Sequence, residues 1–256
     1  MSDNRRITKL MYYILPVVLF VLHASLVVKA EELLTGRHMN LKTENHLPFK
    51  VYVSGPENAK RGILLVHGWL GLNKDIKALT NEFATTGYRA MAIDLYDGKT
   101  ASNPKDAKKL MESVKQSLAN SKYLAALKAL AAPGRKLAVI GWSFGGSQAL
   151  RATLTAPDLV SATVSYYPYG KMVSDKKILS RLQGPILIQV GDKDFAFTPK
   201  KIQEFQKAVK NAGKIAEINI YDAKHGFDKK LNKNYNEFAS KRADKTTREF
   251  LDRNLK

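Results

Sequence analysis

The chain has 256 residues, 45% of them hydrophobic and 25% charged, which fits one large globular domain and excludes a mostly disordered or collagen-like protein. It has no cysteine, so a disulfide framework, a thiolate metal site, an iron–sulfur cluster, a catalytic thiol and a lipidated cysteine are excluded. The formal net charge is +19, but the lysines are scattered and no run of five basic residues occurs. No nucleic-acid-binding motif is present, so the excess reads as a basic solvated surface able to associate with an anionic envelope surface, with no nucleic-acid partner.

At the N-terminus, Arg5, Arg6 and Lys9 precede an uncharged run from Leu10 to Val28, and Val28-Lys29-Ala30 offers small residues at the −3 and −1 positions of a cleavage site. These are the three parts of a secretory signal. The rival reading is a retained membrane anchor through residues 10–28, because such a run can just cross ~30 Å of hydrocarbon. Residues 1–30 are therefore set apart, and 31–256 form a single domain, exported to the periplasm or beyond, or held at a membrane.

Past this segment, strands and helices alternate. Phe49–Ser54 has the period-two pattern of a half-buried strand. Arg61–His67, Arg89–Asp94, Lys136–Gly141, Val160–Tyr166, Pro185–Gly191 and Ile215–Tyr221 complete the strands, most with short continuous apolar runs. Helical spacing occupies Asn73–Thr86, Lys105–Ala132, Gly146–Thr155, Thr198–Asn211 and Ala239–Leu255. This rhythm predicts the α/β class, a mostly parallel central sheet with helices on both faces. In such sheets the working residues lie just past the C-terminal ends of the strands.

Read at those positions, Gly141-Trp142-Ser143-Phe144-Gly145 matches the nucleophile elbow G-x-S-x-G, in which a strained strand-to-helix turn lifts a hydroxyl above the sheet. Three fixed residues are a weak signal alone, but here the motif leaves an apolar strand and opens a helix. The only histidine after Ser143 is His225, in the turn after the last strand. That is the order in which a Ser–acid–His set occurs in such folds, so His225 is expected to be the base. For the acid, Asp192 and Asp194 both follow the strand ending at Gly191. Asp194, clear of the sheet before Pro199, is preferred, with Asp192 as the fallback and a turn cap as its plain role. His67 precedes the nucleophile and is expected to shape its own loop.

The elbow and the segments Trp69-Leu70-Gly71-Leu72-Asn73, Asp94-Leu95-Tyr96, Gly191-Asp192-Lys193-Asp194 and His225-Gly226-Phe227 resemble those of the dienelactone hydrolase family, in order and spacing over residues 49–255. The resemblance implies the α/β-hydrolase fold and a monomeric hydrolase of carboxylic esters or lactones, with neither metal nor cofactor. It supports Asp194 over Asp192 and implies an oxyanion hole from the backbone amides of Phe144 and Trp69. The chain departs from the family archetype in three places. Ser143 stands where the archetype has a cysteine, and Gly68 where it has a glutamate in the early loop. Asp97-Gly98-Lys99 stands where dienelactone-cleaving members carry an arginine, so the resemblance does not extend to dienelactone as the substrate.

The expected chemistry is acyl transfer through Ser143, His225 and Asp194, with Tyr96 and Tyr167 as candidate walls of the substrate pocket. Two other classes share the scaffold: a non-catalytic envelope-binding module, which the complete Ser–Asp–His set argues against, and a peptide or thioester hydrolase.

Overall fold

Two apolar runs, Ile63–Val66 and Leu137–Ile140, supply the centre of the sheet, because strands buried on both faces need side chains that suit two cores. The computed structural model describes residues 35–256; the expected signal or anchor at residues 1–30 lies outside the described residues. The strands are β1 (Arg37–Lys42), β2 (Pro48–Ser54), β3 (Arg61–Val66), β4 (Tyr88–Ile93), β5 (Lys136–Trp142), β6 (Val160–Tyr166), β7 (Ile186–Gly191) and β8 (Ala216–Tyr221). They form one sheet in the order β1-β2-β4-β3-β5-β6-β7-β8. The β1–β2 and β2–β4 pairs are antiparallel and all others are parallel. This is the mostly parallel α/β sheet expected from the sequence.

The helices are α1 (Lys74–Thr85), α2 (Pro104–Ser113), α3 (Gln116–Leu130), α4 (Phe144–Thr155), α5 (Lys176–Leu179), α6 (Pro199–Asn211) and α7 (Glu237–Asn254). Side chains alternate faces along a strand, and the packing follows that rule. Ile63, Leu65, Ala138 and Ile140 join a core with Phe83 of α1 and Phe250 of α7. Leu64, Val66, Leu137 and Val139 join the opposite core with Tyr123 and Leu127 of α3. A third cluster seats Ile186, Ile188 and Val190 of β7 under Ile202 and Phe205 of α6. Among the described residues no helix is long and apolar enough to cross a membrane.

The structure corrects one expected element and adds two. The helix expected over Lys105–Ala132 is two helices, because Val114 and Lys115 adopt extended conformations, with ψ of 110° and 114°. Neither residue is a glycine or proline. The break lets α2, which fully buries only Ala107, take a different direction from α3, whose Ala119, Tyr123, Ala126, Leu127 and Leu130 all face the core. Strand β1 precedes the first expected strand, and α5 is a single turn capped by Asp175, whose carboxylate accepts a hydrogen bond from the Ile178 amide.

Candidate active site

At the exit of β5 the backbone turns through Ser143 at φ 55° and ψ −116°, a conformation that costs a residue with a Cβ about 1–3 kcal/mol. Four main-chain hydrogen bonds hold it: Ser143 N–H to Tyr166 O at 3.0 Å, and to Ser143 O from Gly146 N–H and Tyr169 N–H, both at 2.9 Å, and from Ser147 N–H at 3.4 Å. The flanking glycines are required by close approach. A Cβ on Gly141 would lie 2.0 Å from Gly145 O, and one on Gly145 would lie 2.2 Å from Val66 O. The exits of β3 and β5 and the first turn of α4 therefore touch through backbone alone.

Ser143 Oγ lies 2.8 Å from His225 Nε2, and His225 Nδ1 lies 2.9 Å from Asp194 Oδ2. The Asp194 side chain is fully buried, and its Oδ1 accepts hydrogen bonds from Ala196 N–H at 2.7 Å and Phe197 N–H at 2.9 Å. Burial alone pushes this carboxyl up, but the His225 hydrogen bond and charge, with the two amides, outweigh burial and hold it below the usual carboxylate range. An ionised Asp194 can only accept, so Nδ1 carries the proton and Nε2 is left to accept from the Ser143 hydroxyl. Asn234 Nδ2 donates to His225 O at 2.9 Å and ties down the loop. Asp192 takes no part: its Oδ1 accepts from Ala223 N–H at 3.1 Å, a loop tie between the exits of β7 and β8.

Ser143, His225 and Asp194, picked from the sequence, thus meet in one hydrogen-bonded relay carried by the exits of β5, β8 and β7. A model of the dienelactone hydrolase family matches residues 49–255. The chain belongs to the dienelactone hydrolase family. This dienelactone hydrolase family member is accordingly a hydrolase. It is 26% identical over 188 residues to the protein usf of Aquifex pyrophilus, a match spanning 70% of this chain and 80% of that protein. It is 30% identical over 190 residues to a Bradyrhizobium protein named probable 2-oxo-3-(5-oxofuran-2-ylidene)propanoate lactonase, spanning 68% and 75%. Its fold is shared with a dienelactone hydrolase-like promiscuous phosphotriesterase from metagenomic libraries, with a TM-score of 0.72, 18% identity and coverage of 86% and 99% of the two chains.

Around the relay of this family member, Phe144 is the first residue of α4, directly after Ser143, so its N–H has no intrahelical acceptor. Trp69 stands in the loop after β3, and that loop touches the elbow where Val66 O and His67 O abut Gly145. His67 is fully buried, and burial pushes its imidazole down, to the neutral form. With Nδ1 2.7 Å from Gly68 O and Nε2 accepting from Leu95 N–H at 3.2 Å, it brackets the loops after β3 and β4.

The two tyrosines expected to wall a pocket occupy different settings. Tyr167 is 2% exposed; its ring meets His225 edge-on at 4.8 Å, and its hydroxyl donates to Asp228. It backs the histidine and has almost no free surface. Tyr96 is 3% exposed, stacks on Phe144 at 6.3 Å, and lines a cavity of about 270 Å³ with Asp97, Lys99, Val114, Lys115 and Lys122. Its hydroxyl is buried without a hydrogen-bond partner. Two exposed rings stand beside the relay: Tyr169, with its centroid 6.3 Å from that of His225, and Phe195, 70% exposed at 5.0 Å, which sequence reasoning missed. A large aromatic residue directly after the candidate acid, in the loop past a strand exit, is the available signal. Among the described residues no cluster of three or more His, Asp or Glu side chains is arranged to hold a metal ion.

Proposed function

We propose that this protein is a serine hydrolase that cleaves carboxylic esters or lactones through an acyl-enzyme. The reading is carried by the unbroken relay from Ser143 Oγ through His225 to Asp194, with contacts of 2.8 and 2.9 Å. In the first half-reaction His225 Nε2 takes the hydroxyl proton as Ser143 Oγ attacks the acyl carbon. The carbonyl oxygen, now an oxyanion, accepts from the amides of Phe144 and Trp69. Asp194 keeps its negative charge and stabilises the imidazolium. His225 then returns the proton to the departing alcohol, and in the second half-reaction it deprotonates the attacking water and passes that proton to Ser143 Oγ as the acyl–oxygen bond breaks and the acid leaves. Family membership supports hydrolysis of esters or lactones, and the Bradyrhizobium relative is named as a probable lactonase.

The export signal at residues 1–30, or an anchor through residues 10–28, belongs to the same reading and rests on the sequence pattern alone. The decisive experiment is labelling of the purified protein by a fluorophosphonate, which reports an activated serine without the natural substrate. Labelling is expected in the wild type and absent in Ser143→Ala. A folded wild type that does not label would leave the scaffold as a binding module.

A further inference from the structure

Five of the nine large apolar side chains exposed among the described residues stand on one end of the molecule, where the parallel strands exit and the relay sits. They are Trp69, Tyr169, Phe195, Leu231 and Phe238, on the segments that follow β3, β6, β7 and β8. Leu231 is 85% exposed, Phe238 75% and Phe195 70%. Two of them stand beside the relay itself. The rings of Tyr169 and Phe195 lie 6.3 and 5.0 Å from that of His225. Lys229, two residues from Leu231, sits 4.4 Å over the Trp142 ring beside the elbow, and Asn234 holds the His225 carbonyl.

The same end carries an excess of positive charge. Residues 167–177, 192–201 and 222–236 hold ten lysines and five aspartates. Three of the aspartates are engaged, Asp194 with His225, Asp222 with Lys193 and Asp228 with Lys229. The other eight lysines are exposed and have no carboxylate partner among the described residues. A soluble polyanion would satisfy the lysines and leave Leu231 and Phe238 in water. An apolar protein groove would satisfy the side chains and strand the lysines. An anionic bilayer answers both, since aromatic and aliphatic side chains settle at headgroup depth while lysines meet anionic headgroups.

We infer that this face docks on an anionic lipid bilayer and turns the mouth of the Ser143 site toward esters held at the lipid surface. The docking stands independently of the serine hydrolase reading; only the delivery of esters rests on it, and the test has no catalytic readout. The chain has two tryptophans, Trp69 on this face and Trp142 at 4% exposure. Full-length protein is bound to phosphatidylcholine vesicles containing phosphatidylglycerol, with and without bromine on the acyl chains. Brominated lipid is expected to quench the emission of the wild type, and Trp69→Phe is expected to abolish that quenching. A second variant, Leu231→Ser/Phe238→Ser/Lys230→Glu, is expected to lower partition onto the anionic vesicles at least about tenfold. Protein that sediments with vesicles while its tryptophans stay unquenched would overturn the inference, because the bilayer would then be held elsewhere in the chain. Equal binding to uncharged vesicles, unchanged partition of the triple variant, or binding to heparin or DNA but not to vesicles would overturn it as well.

Discussion

Replacing Asp194 by asparagine tests the relay most sharply, because the structure fixes how the amide must sit. Oδ1 accepts two main-chain N–H groups, from Ala196 at 2.7 Å and Phe197 at 2.9 Å. An asparagine can satisfy both only with its carbonyl oxygen there, which aims its NH₂ group at His225 Nδ1. That group donates, so Nδ1 must give up its proton and Nε2 must carry it. Nε2 then donates toward Ser143 Oγ instead of accepting from it, and the hydroxyl loses its base. Wrong-tautomer substitutions of this kind cost ~10⁴ in kcat, about 5.5 kcal/mol at 1.36 kcal/mol per decade. The fold should survive, since the replacement has the same shape and keeps both amide bonds. The assay is the steady-state hydrolysis of a short-chain chromogenic ester, with the rate of fluorophosphonate labelling beside it and circular dichroism as the check on folding. Asp192→Asn serves as the control; it disturbs one tie to the Ala223 amide and should stay within a few-fold of wild type. A folded Asp194→Asn protein that loses less than about tenfold, or an Asp192→Asn protein that loses more, would refute the assignment of the acid.

Three further outcomes are expected. Ser143→Gly should abolish labelling yet raise stability by about 1 kcal/mol, since relief of ~1–3 kcal/mol of backbone strain outweighs the ~0.5–1 kcal/mol entropy cost of glycine; a Tm gain of ~2–4 °C is the readout. Gly145→Ala should destabilise by about 3 kcal/mol or more, because its methyl would sit 2.2 Å from Val66 O; denaturant titration measures it. His67 supplies a pH dependence of stability. Burial depresses its folded-state pKa, so below the unfolded value of ~6.5 the unfolded chain takes up a proton that the folded one refuses. The stabilisation is complete above ~6.5 and is lost as pH falls through the folded value. Melting curves from pH 7.5 to 5 should slope more steeply for wild type than for His67→Asn, and equal slopes would contradict the neutral imidazole.

What could be read from the sequence tracks how strongly each feature depends on local composition. The central strands stand out because burial on both faces forbids polar residues, as Ile63–Val66 and Leu137–Ile140 show. The elbow stands out because its backbone contacts admit only glycine at 141 and 145. His225 and Asp194 follow from the order of strand exits. Strand β1 escaped because it lies at a sheet edge with only Met39 and Leu41 partly buried, which leaves a faint alternation. The break between α2 and α3 escaped because Val114 and Lys115 carry no special backbone chemistry, and tertiary packing alone sets it. The burial of Tyr96 and Tyr167 was hidden for another reason: aromatic residues at strand exits look alike in sequence whether they face a pocket or support the wall behind it.

The relay spans the sheet unequally. Ser143 leaves β5, which is paired on both sides, whereas His225 hangs from the loop after β8, the edge strand, held only by β7 and half-exposed along most of its length. Edges fray at lower free energy than centres. The base therefore rides on an edge of the sheet, which loosens before the centre. A few ångströms of opening between β7 and β8 part Nε2 from Oγ while β3, β4 and β5 stay paired, so on heating the chemistry fails at the margin before the core lets go.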